Sequence, residues 1–579
     1  MTKHDLKVRY FLTIAIIFLM IVQVRAQFVL PGANTTPTYD ECISFYRELD
    51  KLHDDAGLIE CGTTDIGKPL HLFVLNSDRV FYPELLDRDK IILLINNGIH
   101  PGEPDGVNAS MMFAQQLLDG SAASNTILKN AIFCIVPIYN IDGALNRNSY
   151  SRANQLGPES YGFRGNAKNL DLNRDFIKCD SRNAQSFNRL FTSLMPHVFV
   201  DTHVSNGADY PYTMTLITTQ SDKLGGTAGA FVKSKMEPAL FSAMEKAGDK
   251  MCPYVNTMGR TPESGLVEFF ETPRFASGYA ALYNTIGFIT ETHMLKPFDQ
   301  RVQSTFLFLK ILADYVHTHH QEIMDVRKKS DQETFTAKKM TVTYELDTTR
   351  REDFEFSGYE AKTEKAKVGD GGRLYYDHNS PWKRKIPYYR SYKSKKEAEV
   401  PVYYIIPQAW TEVIERLRMN HVVMNELMKD TTMVVGAYVI SNYETTNRPY
   451  EGHYLHSNME VTDTKIERRF YAGDFIVPMN QPARRYIFSV LEPECEDSFF
   501  AWNFFDSVLQ QKEWFSDYVF EDIAAALLKN DPQLKKEFDK AMSSDPEMKI
   551  NHWNQLYWVY QRSPYFEKTV NVYPVFRGE

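Results

Sequence analysis

Three stretches of this chain place reactive side chains where apolar runs stop, and a fourth gathers them in an irregular segment. In the first, Ile91-Ile92-Leu93-Leu94-Ile95 gives way to Asn96-Asn97-Gly98 and then to His100-Pro101-Gly102-Glu103. Five consecutive branched aliphatics predict a strand buried on both faces, and the Asn/Gly/Pro cluster predicts its end. An imidazole and a carboxylate three residues apart at such a corner can bind one borderline cation such as zinc. In the second, Pro196 to Asp201 leads into Thr202-His203, and in the third, Gly287-Phe288-Ile289-Thr290 leads into Glu291. A charged group in an apolar strand is costly unless something compensates it. The fourth is irregular, Tyr161 to Phe176, and contains Arg164 and Asp171-Leu172-Asn173-Arg174. A guanidinium fork beside an amide suits a carboxylate, which takes two parallel charge-assisted bonds and a third from the amide. His319-His320-Gln321-Glu322 repeats the His-x-x-Glu spacing, but it closes an amphipathic helix from about Gln303 with no strand before it. That copy is expected to be a solvated helix end.

The elements that must position these groups alternate. Tyr39 to Leu52 and Val107 to Leu118 have helical character, whereas Leu70–Leu75, Ile91–Ile95, Ala131–Ile138, His197–Asp201 and Gly287–Thr290 read as short central strands. Such alternation predicts an α/β sheet covered on both faces from about Pro37 to His320, with ligand sites at the strand-to-helix corners.

In order and rough spacing, His100-x-x-Glu103, Asp171-Leu172-Asn173-Arg174, Asp201-Thr202-His203 and Thr290-Glu291 resemble the zinc metallocarboxypeptidases of the carboxypeptidase A type, peptidase family M14. The resemblance spans about residues 37 to 320 and implies a mixed-sheet α/β catalytic domain. It implies that His100, Glu103 and His203 are ligands of one zinc ion per chain, with water in the fourth position. Asp171 would orient the first histidine, Asn173 and Arg174 would clamp a substrate's terminal carboxylate, Arg164 would polarise the scissile carbonyl, and Glu291 would be the general base. The implied partner is a peptide with a free C-terminal carboxylate. Family members also carry a lid tyrosine ahead of the catalytic glutamate. The matching stretch here, Glu268-Phe269-Phe270-Glu271-Thr272, has none, and Tyr279 and Tyr283 lie nearer Glu291. Two related activities fit the same motifs, an aspartoacylase-like amidohydrolase and a murein-peptide carboxypeptidase or endopeptidase. A binding protein with an inactive catalytic domain is disfavoured by the intact His100, Glu103, His203 and Glu291.

The 579 residues exceed one ordinary core, so at least two domains are expected. A net charge of -9 gives no reason to expect a nucleic acid partner. Lys3, Lys7 and Arg9 precede an apolar run from Phe11 to Val22, and Val24-Arg25-Ala26 offers small residues at a cleavage position. Residues 1–26 therefore read as a secretory signal, implying a secreted or periplasmic protein with no stable membrane insertion after cleavage. Residues 27–327 are assigned to the catalytic domain, the polar run in 328–339 to a linker, and 340–579 to a β-rich, sandwich-like domain with a helical C-terminal segment. Within the last, Met340–Leu346, Val400–Ile406, Met433–Ile440 and Arg485–Val490 read as strands and Thr411–Met419 as a helix. Six scattered cysteines, with no Cys-x-x-Cys, are expected to be core or disulfide residues.

Overall fold

The computed structural model describes residues 34–578. The signal segment expected at residues 1–26 lies outside them. Among the described residues no helix is long and apolar enough to cross a membrane. The chain divides into two compact units. The first holds the residues through Ala337, Tyr344–Lys396 and Met419–His421; the second holds Lys338–Thr343, Glu397–Arg418 and the residues from Val422 on.

The first unit is built on eight strands: β1 (Ala56–Thr63), β2 (Pro69–Leu75), β3 (Ile91–Asn96), β4 (Ala131–Val136), β5 (Val198–Ser205), β6 (Met214–Thr218), β7 (Cys252–Pro253) and, after a short strand β8 (Leu266–Val267) outside this sheet, β9 (Ile286–His293). Their order is β1-β2-β4-β3-β5-β9-β6-β7. The sheet is mixed. β3, β5 and β9 run parallel side by side, with Asn96 opposite Asp201 and His203 opposite Glu291, while β6 returns antiparallel to β9. All six side chains of β3 are buried, as its aliphatic run predicts for a central strand, because helices cover the sheet. Prominent among them are α1 (Tyr39–Leu52), α2 (Asp105–Leu117), α3 (Arg182–Leu194), α4 (Ala276–Ala281), α5 (Phe298–Thr318) and α6 (His320–Thr336). Helix α1 begins with a capping box between Thr38 and Glu41. Helix α2 begins at Asp105, whose buried carboxylate is held 2.9 Å from the fully buried guanidinium of Arg301 on α5. That pair pins the corner leaving β3.

His197, just before β5, is locked into the sheet. Its Nδ1 accepts the main-chain N–H of Ile92 at 3.1 Å. Burial, with Arg327 and Arg88 nearby, pushes its pKa down to about 3 from 6.5. The unfolded chain therefore binds a proton here between pH 6.5 and 3 that the folded chain refuses, so this site withdraws about 1.4 kcal/mol of stability for each pH unit below about 6.5. His197→Asn keeps an acceptor for Ile92 but cannot titrate. The variant is expected to melt below the wild type at pH 7, with the gap in Tm narrowing steadily toward pH 4; a gap that stays constant with pH would show that His197 is not held neutral.

Three expectations need correction. Residues 328–336, read as linker, form the end of α6. The helix is anchored on one side: Arg327 donates to the Pro196 carbonyl and pairs with Asp331, which also accepts from Asn284. The hairpin of Glu352–Lys365 and Gly372–Tyr389 groups with the first unit rather than with the later strands. It pairs with β8, and Tyr210, Tyr212, Phe356 and Trp382 share one apolar cluster. Arg485–Val490, read as a strand, lies in a helix, Arg484–Leu491, because Tyr486, Ile487, Val490 and Leu491 recur at helical spacing and are all buried there.

The second unit is the expected β-rich region. It contains a six-stranded sheet including Tyr403–Ile406, Thr431–Thr445 and His456–Phe470, followed by helices Asp517–Asn530, Pro532–Ser544 and His552–Gln561. Thr411–Met419 is helical as read. Among the described residues none of the six cysteines forms a disulfide, and five of them are buried.

Candidate metal centre

Positive φ at Gly98 turns the chain as it leaves β3, and a tight turn follows in which the Glu103 N–H donates to the His100 carbonyl at 2.8 Å. This turn brings the two side chains of His100-x-x-Glu103 to the end of the sheet. There they meet His203, which β5 delivers from the adjacent strand. One ligand atom from each of the three lies within 4.8 Å of the others, and all three residues are buried. His100 Nδ1 is 3.3 Å from one carboxylate oxygen of Glu103, and His203 Nδ1 is 3.1 Å from the other. Bonds of about 2.1 Å at tetrahedral angles require donors about 3.4 Å apart, so the spacing fits zinc.

Both imidazoles are turned the same way by carboxylates behind them. His100 Nε2 pairs with Asp171 Oδ1 at 2.9 Å, and His203 Nε2 pairs with Asp201 Oδ2 at 2.9 Å. With each Nε2–H committed, each Nδ1 presents its lone pair to the common centre. His100 Nδ1 is buried with no hydrogen-bond partner, the mark of an acceptor awaiting a cation. The charge balance agrees. Burial opposes ionisation of Glu103, yet Arg152 and His100 hold its carboxyl well below the usual carboxylate range. Burial would strip the proton from His203, but Asp201 and Glu103 overcome it and raise its pKa well above the ordinary value. The site thus demands positive charge, which a bound cation supplies in place of that proton.

Glu291 stands opposite His203 on β9. Burial, together with the nearby carboxylates of Glu103, Glu271 and Asp201, pushes its pKa up to about 8 against the opposing pull of His203. Asp171 caps a 3₁₀ turn, Leu172–Arg174, by accepting the Asn173 N–H. Burial would raise its pKa, but His100, Arg164 and Arg174 hold it well below the ordinary range. Asn173 accepts the N–H of Ala276 at 3.2 Å, and the Arg174 guanidinium lies 4.2 Å over the Phe275 ring. Arg164 bonds Asp171 Oδ2 at 2.9 Å and reaches within 3.6 Å of Glu103. A cavity of about 240 Å³ is lined by His100, Glu103, His203, Glu291, Arg164, Asn173 and Arg174 together.

Sequence reasoning missed several members of this site. Arg152 bonds the Glu103 carboxylate at 2.7 Å from an irregular loop that offers no local signal. Gly102 makes room for it, since a Cβ there would lie 2.3 Å from Arg152 Nε. Asp201 did carry a signal, because it sits two residues before His203 and so on the same face of the strand. Tyr254 and Phe269 also line the cavity. Tyr279 and Tyr283 do not; they are buried and their hydroxyls donate to Asn420. The His319/Glu322 pair is partly exposed at the junction of α5 and α6, and Glu322 also pairs with Lys235.

Residues 42–206 match the family model described as zinc carboxypeptidase, peptidase M14. Among curated proteins the chain is similar to carboxypeptidase 2 of Trichophyton rubrum, 21% identical over 80% of this chain and 83% of that protein. It is also similar to carboxypeptidase 2 of Trichophyton equinum, 22% identical over 71% and 73%. A solved metallo-carboxypeptidase from Burkholderia cenocepacia is 16% identical over 50% of this chain and 71% of its own, with a TM-score of 0.37 that adds no weight to the family match.

Proposed function

We propose a reaction for a chain whose residues 42–206 match the zinc carboxypeptidases of the M14 peptidase family: hydrolysis of the last peptide bond of a peptide. The convergence of His100, Glu103 and His203 beside Glu291, in one cavity with Asn173 and Arg174, carries this reading. His100, Glu103 and His203 would hold a zinc ion, which would supply a Lewis acid able to bring the pKa of a water from about 15.7 to about 7. Glu291 takes the proton from the attacking water and returns it to the leaving amine. Asn173 and Arg174 hold the substrate's terminal carboxylate, which fixes which bond faces Glu291. Arg164 donates to the oxyanion as it forms, a contribution of about 100 to 1000 in rate. Asp171 and Asp201 hold the imidazoles in their tautomers. Residues 1–26 support export as the setting of the reaction.

The clamp gives the test. A peptide with an amidated C-terminus lacks the charge that Arg174 recognises and should lose most of its kcat/KM relative to the free acid, about 2 kcal/mol or more if one charge-assisted pair is lost. Liquid chromatography with mass detection of the released residue measures both peptides together. Equal cleavage of the two would remove the clamp and point to endopeptidase action.

A further inference from the structure

Each of the three metal donors has a charged group behind it, and the three are not alike. The imidazoles of His100 and His203 are backed by the carboxylates of Asp171 and Asp201, which strengthen an imidazole as a donor. Glu103 is backed by a guanidinium instead. Arg152 Nη2 donates to Glu103 Oε1 at 2.7 Å, while Oε2 accepts the main-chain N–H of Val204 at 2.9 Å. Arg152 is built into this position. Its main-chain N–H donates to the Tyr161 hydroxyl, and its Nη1 donates to Gln155 Oε1. Gln155 in turn donates to the carbonyls of Gly102 and Gly157, so the loop carrying Arg152 is fastened to the same His-x-x-Glu turn that carries Glu103.

Orienting the Glu103 carboxylate does not require a charge, since a neutral N–H does that work on Oε2. What a guanidinium adds is electrostatic: it draws charge from the carboxylate and repels a second cation bound to the same group. Arg164, another cation near Glu103, is farther away at 3.6 Å and is bonded to Asp171. We propose that Arg152 is a positioning residue that weakens Glu103 as a donor. A zinc ion would then be held less tightly than the three ligands alone allow, and would keep more of its positive charge for the substrate carbonyl. The proposal rests on the metal assignment within the carboxypeptidase reading and adds what sets the strength of the site. It also accounts for the pairing of a buried guanidinium with a ligand, because a side chain needed only as a brace could have been neutral.

The experiment measures zinc affinity of the full chain without substrate, by competition with a chromogenic chelator, and then kcat on a peptide with a free C-terminus. Arg152→Gln keeps a hydrogen-bond donor and removes the charge, so it is expected to bind zinc about tenfold more tightly and to turn over about tenfold more slowly. Arg152→Lys keeps the charge. Because the contact with Glu103 is one nitrogen on one oxygen, this variant should stay near the wild type in both readouts. Gly102→Ala reaches the same end without changing Arg152: its Cβ would lie 2.3 Å from Arg152 Nε, which pushes the guanidinium off Glu103. It should shift both readouts as glutamine does, and it carries the test if Arg152→Gln folds poorly. Removing a mere brace would loosen zinc, so weaker or unchanged binding in these two variants overturns the proposal, as does a lysine variant that matches glutamine. Wild-type protein that binds zinc but releases no C-terminal residue overturns the carboxypeptidase reading alone, since the affinity comparison still decides the role of Arg152. Wild-type protein that binds no zinc overturns both.

Discussion

Replacing Glu291 with glutamine is expected to lower kcat by about 100- to 10 000-fold while the metal content stays at the wild-type level. Glutamine keeps the shape of the side chain and removes only its ability to accept a proton. The position is suited to proton transfer because burial and the carboxylates around it bring the pKa of Glu291 up to about 8, within reach of neutrality rather than near 4.5. Positive charge bound at the three donors would lower that value again, which would make the group a base in the loaded enzyme and an acid once it has taken the proton. Glu291 is not one of the three converging donors, and losing its charge should not release the metal. Kinetics and metal analysis on the same preparation give both readouts. Turnover near the wild-type rate in this variant would remove Glu291 from the mechanism.

Substituting His203 with alanine should have the opposite signature, with metal and activity lost together. The change deletes one of three donors and also strips two buried carboxylates of a partner, Asp201 at 2.9 Å and Glu103 at 3.1 Å. Breaking a buried ion pair by removing one side costs about 3 to 5 kcal/mol, so the variant should also melt well below the wild type. Chelation of the wild type separates the two effects: it should remove metal and activity reversibly, with zinc restoring the rate, whereas added zinc should not restore His203→Ala. A variant that keeps both its metal and its melting temperature would refute the assignment of His203 as a donor.

Glu103 and His203 are about a hundred residues apart, yet each was legible from its immediate neighbours. An apolar run that ends on a polar residue has few physical readings, and β3, β5 and β9 are found where those runs lie. Boundaries drifted at the strand ends. β9 continues through His293, past the expected Thr290, because Thr292 and His293 are buried inside the fold. The failures share one cause. Arg485–Val490 has strand-forming residues but is helical, and 328–336 is polar but helical, because in both the deciding partners come from elsewhere in the chain. Local propensity is a weak prior against such packing.

What the sequence determined by itself was the chemistry available: two imidazoles and two carboxylates at the ends of strands whose hydrophobic runs are local and therefore readable, and an Asn-Arg pair in an irregular stretch. What only the tertiary structure decided was which atoms face each other. Asp171 and Asp201 turn both Nδ1 atoms inward, and Arg152 reaches Glu103 across the space Gly102 leaves. These pairings depend on strand order and loop path, which are set by long-range packing that no single stretch of residues encodes.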